Sequence, residues 1–211
     1  TFSSDRVTAD TSALVNILLH QDGFSQFVRQ GFQTGINFDW DLNDHNSFSG
    51  SLSHNNFSNT GNTTTNQVQD IKGTGGNSIS NVQTLIIADN SFHFNNIDAG
   101  LNYKKTFKKE DQELEISANT SSGNPESRNN NYPFSLPAHS VYYSTRGLNP
   151  GTEKETELRA DYVQPLKENV LLGVGSKVNL YDITSNSTVA KLDSLSGQYA
   201  KDNFLSNSLH Y

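Results

Sequence analysis

The stretch Gln33-Thr34-Gly35-Ile36-Asn37-Phe38-Asp39-Trp40-Asp41-Leu42 decides the fold, because its apolar and polar residues alternate without a break. A period of two residues is typical of a β-strand with one apolar and one polar face. The polar turn Asn43–Asn46 follows, and the alternation resumes through Phe48, Gly50 and Leu52. The pattern predicts a long hairpin over residues 33–54. Strands of about ten residues match the ~9–11 tilted residues that cross a bilayer.

Two further hairpins with the same alternation are predicted along the chain. The second covers residues 97–119, with its turn at Lys108–Gln112, and the third covers residues 155–181, with its turn at Gln164–Glu168. In each hairpin one face is apolar and the other is polar or charged, which predicts antiparallel pairing around the turns. The chain is therefore predicted to be all-β, an antiparallel meander of long hairpins.

The segments between the hairpins carry no clear period. Thr1–Asn16 alternates weakly and is predicted to be one strand, and Gln21–Gln30 is predicted to be a connector. Three polar segments, residues 58–94, 121–152 and 184–202, are predicted to be long loops, and Phe204–Tyr211 a last partial strand. The second segment is rich in proline, which removes a donor from a β-ladder and favours a loop.

Composition narrows the class of protein. Only 33% of the 211 residues are hydrophobic and the net charge is −7. No apolar run is long enough for a transmembrane helix, whereas a membrane barrel places apolar residues at alternate positions and stays polar on average. The net negative charge does not predict the basic surface that nucleic-acid binding requires. Without cysteine, disulfides and thiolate metal sites are excluded.

The asymmetry between short turns and long loops favours an outer-membrane barrel, where short turns are periplasmic and long loops extracellular. Trp40, Phe107 and Tyr162 lie close to the short turns, where an aromatic girdle is expected, and Phe32, Phe57, Phe94 and Tyr181 lie near the opposite strand ends. The alternative is a soluble sandwich whose apolar face is a core. In a barrel, one set of side chains should point to lipid: Ile36, Phe38, Leu52, Leu101, Ile116, Leu158, Leu172 and Val174. The opposite set should point inward: Asn37, Asp39, Asn102, Glu115, Arg159 and Lys177.

Candidate chemistry is sparse. Asp39, Asp41 and Asn43 resemble the start of a calcium loop, but Asp44 and Gly50 stand where glycine and glutamate are needed. Gly73–Gly76 lacks the Lys-Ser/Thr of a phosphate loop, and Asn62 and Asn186 match a glycosylation signal by chance in an Asn-rich chain. Other polar residues show no ligand or catalytic spacing: His20, His45, His54, His93, His139, His210, Glu113, Glu115, Glu155 and Glu157. We expect no active site, no cofactor, no metal and no enzymatic activity.

Three segments resemble a known family. They are Gly31–Phe48, Leu101–Phe107 followed by Glu113–Ser117, and Asp161-Tyr162-Val163-Gln164-Pro165-Leu166 leading into Gly173–Lys177. They look like strand–turn–strand units of the outer-membrane β-barrel family of TonB-dependent receptors in Bacteroidetes. The resemblance implies a barrel of about 22 strands with a plug. It also implies a location in the outer membrane and, as partners, the lipid bilayer, the rest of the barrel with its plug, and the TonB complex.

Three functions remain open from the sequence. The chain is a partial outer-membrane barrel over residues 1–211, a slice of a TonB-dependent receptor that supplies barrel wall and extracellular loops. Alternatively it is a complete small barrel of eight strands, or a soluble β-rich binding or adhesin module. We favour the slice, because the sequence shows no plug and Tyr211 ends in mid-strand. The transported substrate cannot be predicted.

Overall fold

A computed structural model describes residues 1–10, 14–138, 140–141, 143–167 and 170–211, and the regular structure in these ranges is β. Six long strands form the body of the sheet, and four shorter strands pair along its sides. In chain order the strands are β1 (Phe2–Asp10), β2 (Val15–Asn43), β3 (Asn46–Gly73), β4 (Ser78–Thr106), β5 (Glu113–Leu136), β6 (Ser140–Val141), β7 (Thr145–Lys167), β8 (Val170–Leu192), β9 (Tyr199–Lys201) and β10 (Asn207–His210).

The strands form one antiparallel meander in the order β1-β2-β3-β4-β5-β7-β8-β10, with β6 beside β5 and β9 beside β8. The three predicted hairpins are confirmed as the pairs β2–β3, β4–β5 and β7–β8. The first turn lies between Asn43 and Asn46, which pair with each other, as predicted. The second turn lies between Thr106 and Glu113. The all-β fold follows directly from the alternation of the sequence.

The third turn was placed too early in the sequence. Gln164 to Lys167 belong to β7, and Lys167 pairs with Val170. Residues 168 and 169 lie outside the described residues. The pairing register shifts between Pro165 and Lys167. A bulge at this point accommodates a proline that cannot donate to the ladder, and it explains why the pattern resembled a turn.

The three predicted long loops are wrong, because most of their residues continue the strands. β3 runs on to Gly73 and β4 starts at Ser78, so a four-residue turn replaces the loop of residues 58–94. β5, β6 and β7 occupy most of residues 121–152, and β8 and β9 much of residues 184–202. These segments have polar side chains on both faces, which removes the hydrophobic period while leaving the backbone free to pair.

The prolines of the predicted loop over residues 121–152 lie where the hydrogen-bond ladder between β5 and β7 ends or is interrupted. Pro125 and Pro150 flank a point where β5 and β7 lose register pairs between Gly123–Glu153 and Glu126–Pro150. Pro133 lies beyond Asn131, the last β5 residue paired with β7. The prediction of a loop was wrong because a proline lacks only one hydrogen-bond donor, towards one neighbouring strand. At these positions the ladder between β5 and β7 is interrupted or has ended, so the missing donor is tolerated.

The first residues also differ from the prediction. Residues 2–10 form β1, residues 11–13 lie outside the described residues, and Val15 already belongs to β2, which pairs back onto β1. The prediction of a single strand over Thr1–Asn16 is therefore wrong, because the described residues of this stretch belong to two antiparallel strands, β1 and the start of β2. Gln21–Gln30, predicted to be a connector, lies within the first half of β2.

The sheet is open and encloses no apolar core within the described residues. No hydrophobic side chain among them is buried. β1 covers only residues 15–23 of β2, and β10 covers only residues 184–187 of β8. The parts of β2 and β8 that lie towards the Asn43–Asn46 turn are thus edges of the described sheet, and their outer backbone groups are unpaired in it.

Candidate membrane-facing band and polar face

In the part of the sheet that lies towards the turns at Asn43–Asn46 and Thr106–Glu113, one face is a continuous apolar surface. It can be traced because residues paired directly across antiparallel strands share a face. We call the surface formed by the following rows the apolar band. Its rows are Ile36-Leu52-Ala99-Thr120-Thr156-Leu180, Phe38-Gly50-Leu101-Ala118-Leu158-Val178, Trp40-Phe48-Tyr103-Ile116-Ala160-Ser176 and Lys105-Leu114-Tyr162-Val174. All eight side chains predicted to face lipid lie on this face. Ile36 is 69% exposed and Leu101 50%, so the band packs against nothing in the chain.

The height of the band matches a bilayer. From Thr34, above the first row, to Leu42, the strand advances eight residues, about 27 Å along its axis at ~3.4 Å per residue. Tilted by about 35–45°, this length spans roughly 19–22 Å across the membrane, close to the about 25 Å height of the lipid-facing band of outer-membrane barrels. A soluble sandwich would bury this face in a core, and the described residues provide no second layer to do so.

Aromatic residues lie at the short-turn end of the band. The rings of Phe48 and Tyr103 lie 4.8 Å apart between centroids, and Phe107 meets Tyr162 edge-on at 6.2 Å. The Tyr103 hydroxyl donates to Oδ1 of Asn46 at 2.6 Å, and the Gln112 amide donates to the Tyr162 hydroxyl at 2.6 Å. Rings on the apolar side with hydroxyls bonded to turn residues are the arrangement expected at a membrane–water boundary.

The aromatic residues at the other end of the band do not form a matching girdle. Phe32 lies on the band face, with its ring 5.4 Å from that of His54. Phe57, Phe94 and Tyr181 lie on the opposite, polar face, because each is an odd number of residues from a band residue of its own strand. The sequence prediction placed them at the correct height but did not account for the face.

The face opposite the apolar band carries the charges. Asn37, Asp39, Asn102, Glu115, Arg159 and Lys177 share this face, as predicted, and we call it the polar face. Three ion pairs lie on it: Lys104 Nζ–Glu113 Oε2 at 2.8 Å, Arg159 Nε–Asp161 Oδ2 at 2.5 Å and Lys177 Nζ–Glu157 Oε2 at 2.6 Å. Each pair is substantially exposed, so these contacts order side chains more than they stabilise the sheet. A charged surface of this kind suits a water-filled lumen.

Three of the residues considered for metal or catalytic roles, Asn43, Glu113 and Glu157, have hydrogen-bond or ion-pair partners in the sheet. Asn43 Oδ1 accepts hydrogen bonds from His45 N at 3.0 Å and Asn46 Nδ2 at 2.7 Å, which closes the first turn. Glu113 and Glu157 belong to ion pairs, and Thr74, Gly75 and Gly76 lie in the turn between β3 and β4.

The histidines are dispersed along the sheet. His20 contacts Asp5, His45 contacts Thr106, His93 contacts Asn95 and His210 lies near Asp182, while His139 lies outside the described residues. Within the described ranges, no three His, Asp or Glu side chains come together to hold a metal ion.

Beyond the Thr34 row the same strands continue as what we call the extension, residues 15–32, 56–73, 78–95, 124–136, 145–152 and 184–192. Polar side chains pair across it: Gln21 Nε2 donates to Gln67 Oε1 at 2.7 Å, and the Ser25 and Thr63 hydroxyls lie 2.9 Å apart. At its far edge Arg146 lies over the ring of Tyr199, 3.8 Å from the centroid. Ser144, buried beside it, bonds the Tyr199 hydroxyl at 2.7 Å.

Long antiparallel strands with one exposed apolar face and one charged face define the wall of an outer-membrane β-barrel. In the part of the chain that the structure describes, no helix has the length and apolar character needed to cross a membrane. The model of the outer membrane protein beta-barrel family matches residues 105–211, and the chain belongs to this family. Its location is therefore the outer membrane. No curated protein sequence matches the chain significantly.

Proposed function

We propose that this chain supplies a wall segment and a tall extracellular extension to a TonB-dependent outer-membrane receptor of the kind found in Bacteroidetes. Its role is transport and recognition rather than catalysis. The observation that carries the proposal is the open sheet. Within the apolar band, β2 and β8 are edges whose outer backbone groups have no partner in the described residues.

Such edges cannot remain open in hydrocarbon. Each unsatisfied amide or carbonyl would cost several kcal/mol there. Both edges therefore require further strands, as in the large barrel of a receptor with a plug. The plug and the TonB complex enter this proposal as partners of the assembled receptor.

A complete small barrel of eight strands is the second candidate, and it is compatible with the family. β1 and β10 would be its seventh and eighth strands. Both pair only in the extension, and the described sheet does not join its two ends. This favours the larger barrel.

Two measurements test the proposal. Spin labels at Leu101 and Asn102 in the membrane-inserted protein should report lipid at Leu101 and water at Asn102. The reverse result would overturn the assignment of the faces. The chain of residues 1–211 expressed alone in lipid vesicles should give no stable monomer and no ligand uptake. A heat-modifiable, protease-resistant monomer of this chain would favour the eight-stranded barrel.

A further inference from the structure

Two lysines and an aromatic pair lie together at the end of the apolar band that is nearest the turn between β4 and β5. We call Lys105, Phe107, Lys109 and Tyr162 the boundary cluster. Lys105 lies in the last row of the band, and its Nζ lies 5.1 Å from the centroid of the Phe107 ring. Phe107 in turn meets Tyr162 edge-on at 6.2 Å. Lys109 Nζ donates to the backbone oxygen of Pro165 at 2.5 Å, at the end of the strand that carries Tyr162.

Hydrogen bonds hold the second lysine beside the tyrosine. The Tyr162 hydroxyl donates to Gln164 Oε1 at 2.6 Å, and Gln164 Nε2 donates to the Pro165 oxygen at 3.0 Å. The Lys109 ammonium group donates to that same oxygen. Because a backbone oxygen carries no net charge, this contact orients the ammonium group without neutralising it. An ammonium group has three N–H donors, so Lys109 keeps donors for a further ligand.

The positive charge of the boundary cluster is not neutralised by an ion pair within the described residues. The lysine next to it in the sequence, Lys104, differs, because its Nζ lies 2.8 Å from Glu113 Oε2 on the polar face. Lys105 instead contacts only the Phe107 ring, which attracts a cation through its electronegative face. Residues 105–111 carry three lysines and two acidic residues, so the turn as a whole keeps a net positive charge.

The boundary cluster lies on the outward face, at one edge of the surface that meets lipid. Outer-membrane barrels project further on the extracellular side than on the periplasmic side, and the extension leaves the band at its opposite end. The cluster therefore lies at the headgroups of the periplasmic leaflet. A lysine at the end of a membrane strand covers apolar surface with its stem and holds its ammonium group at the headgroup level.

We propose that the boundary cluster binds the phosphate group of an anionic phospholipid in the periplasmic leaflet. Basic residues beside a membrane attract anionic headgroups, and here two ammonium groups flank rings of the kind that settle at the membrane–water boundary. Ile116, 45% exposed, and Val174, 61% exposed, lie on the same face and offer apolar surface to the acyl chains of that lipid. Lipid binding requires only the barrel wall and not the TonB-dependent receptor, so a failed test here leaves the proposed function intact.

Native mass spectrometry of the complete barrel that contains this chain, purified in detergent, tests the site. The barrel is titrated with dioleoylphosphatidylglycerol, which is anionic, and with dioleoylphosphatidylcholine, which has no net charge. We expect the Kd of the first phosphatidylglycerol to be the lower of the two. Lys105→Gln should raise it about fivefold, the factor that corresponds to roughly 1 kcal/mol for one lysine near an anionic surface. Lys105→Arg keeps the charge and the ring contact and should preserve the affinity.

Lys104→Gln is the matched control, because it removes the same charge from the adjacent residue, whose ammonium group lies on the polar face. Across the sheet and screened by salt, it should change the phosphatidylglycerol Kd by less than about twofold. Lys109→Gln should weaken binding about as much as Lys105→Gln. Equal Kd values for the two lipids, or equal losses for Lys104→Gln and Lys105→Gln, would overturn the proposal. Tighter binding of lipid A, whose phosphates lie in the outer leaflet, would overturn the assignment to the periplasmic leaflet.

Discussion

The apolar band and the extension belong to the same strands and the same continuous register, yet their side chains serve different solvents. In the band, apolar and polar residues alternate, so one face suits lipid and the other water. In the extension both faces are mainly polar, and cross-strand contacts such as Gln21–Gln67 and Ser25–Thr63 join the strands. Antiparallel backbone pairing runs through both regions, with interruptions in the extension between β5 and β7 and between β7 and β8. The comparison shows that the alternation of apolar and polar residues reports whether the two faces of a strand meet different surroundings, lipid and water. It is not required for the strand to form.

The largest expected effect comes from placing a charge in the band. Leu101→Arg should destabilise the inserted protein by about 2–4 kcal/mol, the cost of arginine near the bilayer midplane on the lipid face. Urea titration of the protein folded in lipid vesicles measures it. Thr60→Arg, on the same face but in the extension, should change stability by less than about 0.5 kcal/mol. Equal losses from the two variants would remove the distinction between the regions.

A smaller effect is expected at the lower boundary of the band. Tyr103→Phe removes the hydroxyl that donates to Asn46 at 2.6 Å and should cost about 1 kcal/mol in the same titration. Tyr103→Leu also removes the ring contact with Phe48 and should cost a further ~0.5–1.5 kcal/mol. If Tyr103→Phe were neutral, the hydrogen bond would not help to anchor the first turn.

The alternation of apolar and polar residues in the segments 33–54, 97–119 and 155–181 was sufficient to predict the fold class, the three hairpins and the two faces of the band. The extension could not be predicted in this way, because residues such as Asn55 to Gln67 have no hydrophobic period. The prolines and glycines of these segments also favoured the prediction of loops. In the structure, however, Pro125 and Pro150 lie where the ladder between β5 and β7 is interrupted.

The clustering of Phe57, Phe92 and Phe94 on the polar side of the extension was not predicted, although part of its signal was present in the sequence. Phe57 lies nine residues after Phe48 on one strand, and an odd separation places the two rings on opposite faces. Counting parity from the band would have moved Phe57 and Phe94 from the expected girdle to the polar face. The clustering of Phe57, Phe92 and Phe94 needed the pairing register, which depends on a turn at residues 74–77 that the sequence did not reveal.

The smallest expected effect concerns the outer edge of the extension, where β1 pairs with β2. His20 Nδ1 lies 2.7 Å from Asp5 Oδ1, and this hydrogen bond raises the pKa of His20 above its usual 6.5. A raised pKa in the folded state stabilises the pairing below the unfolded value and loses that contribution as pH rises through the folded value. Hydrogen-exchange protection of β1 amides, corrected for intrinsic rates, should therefore fall between about pH 6 and pH 8. Protection in the lower part of β3 should stay constant. Asp5→Asn removes the carboxylate and should abolish most of the pH dependence while leaving β1 in register. A pH dependence of β1 that survived in Asp5→Asn would show that another group controls this edge.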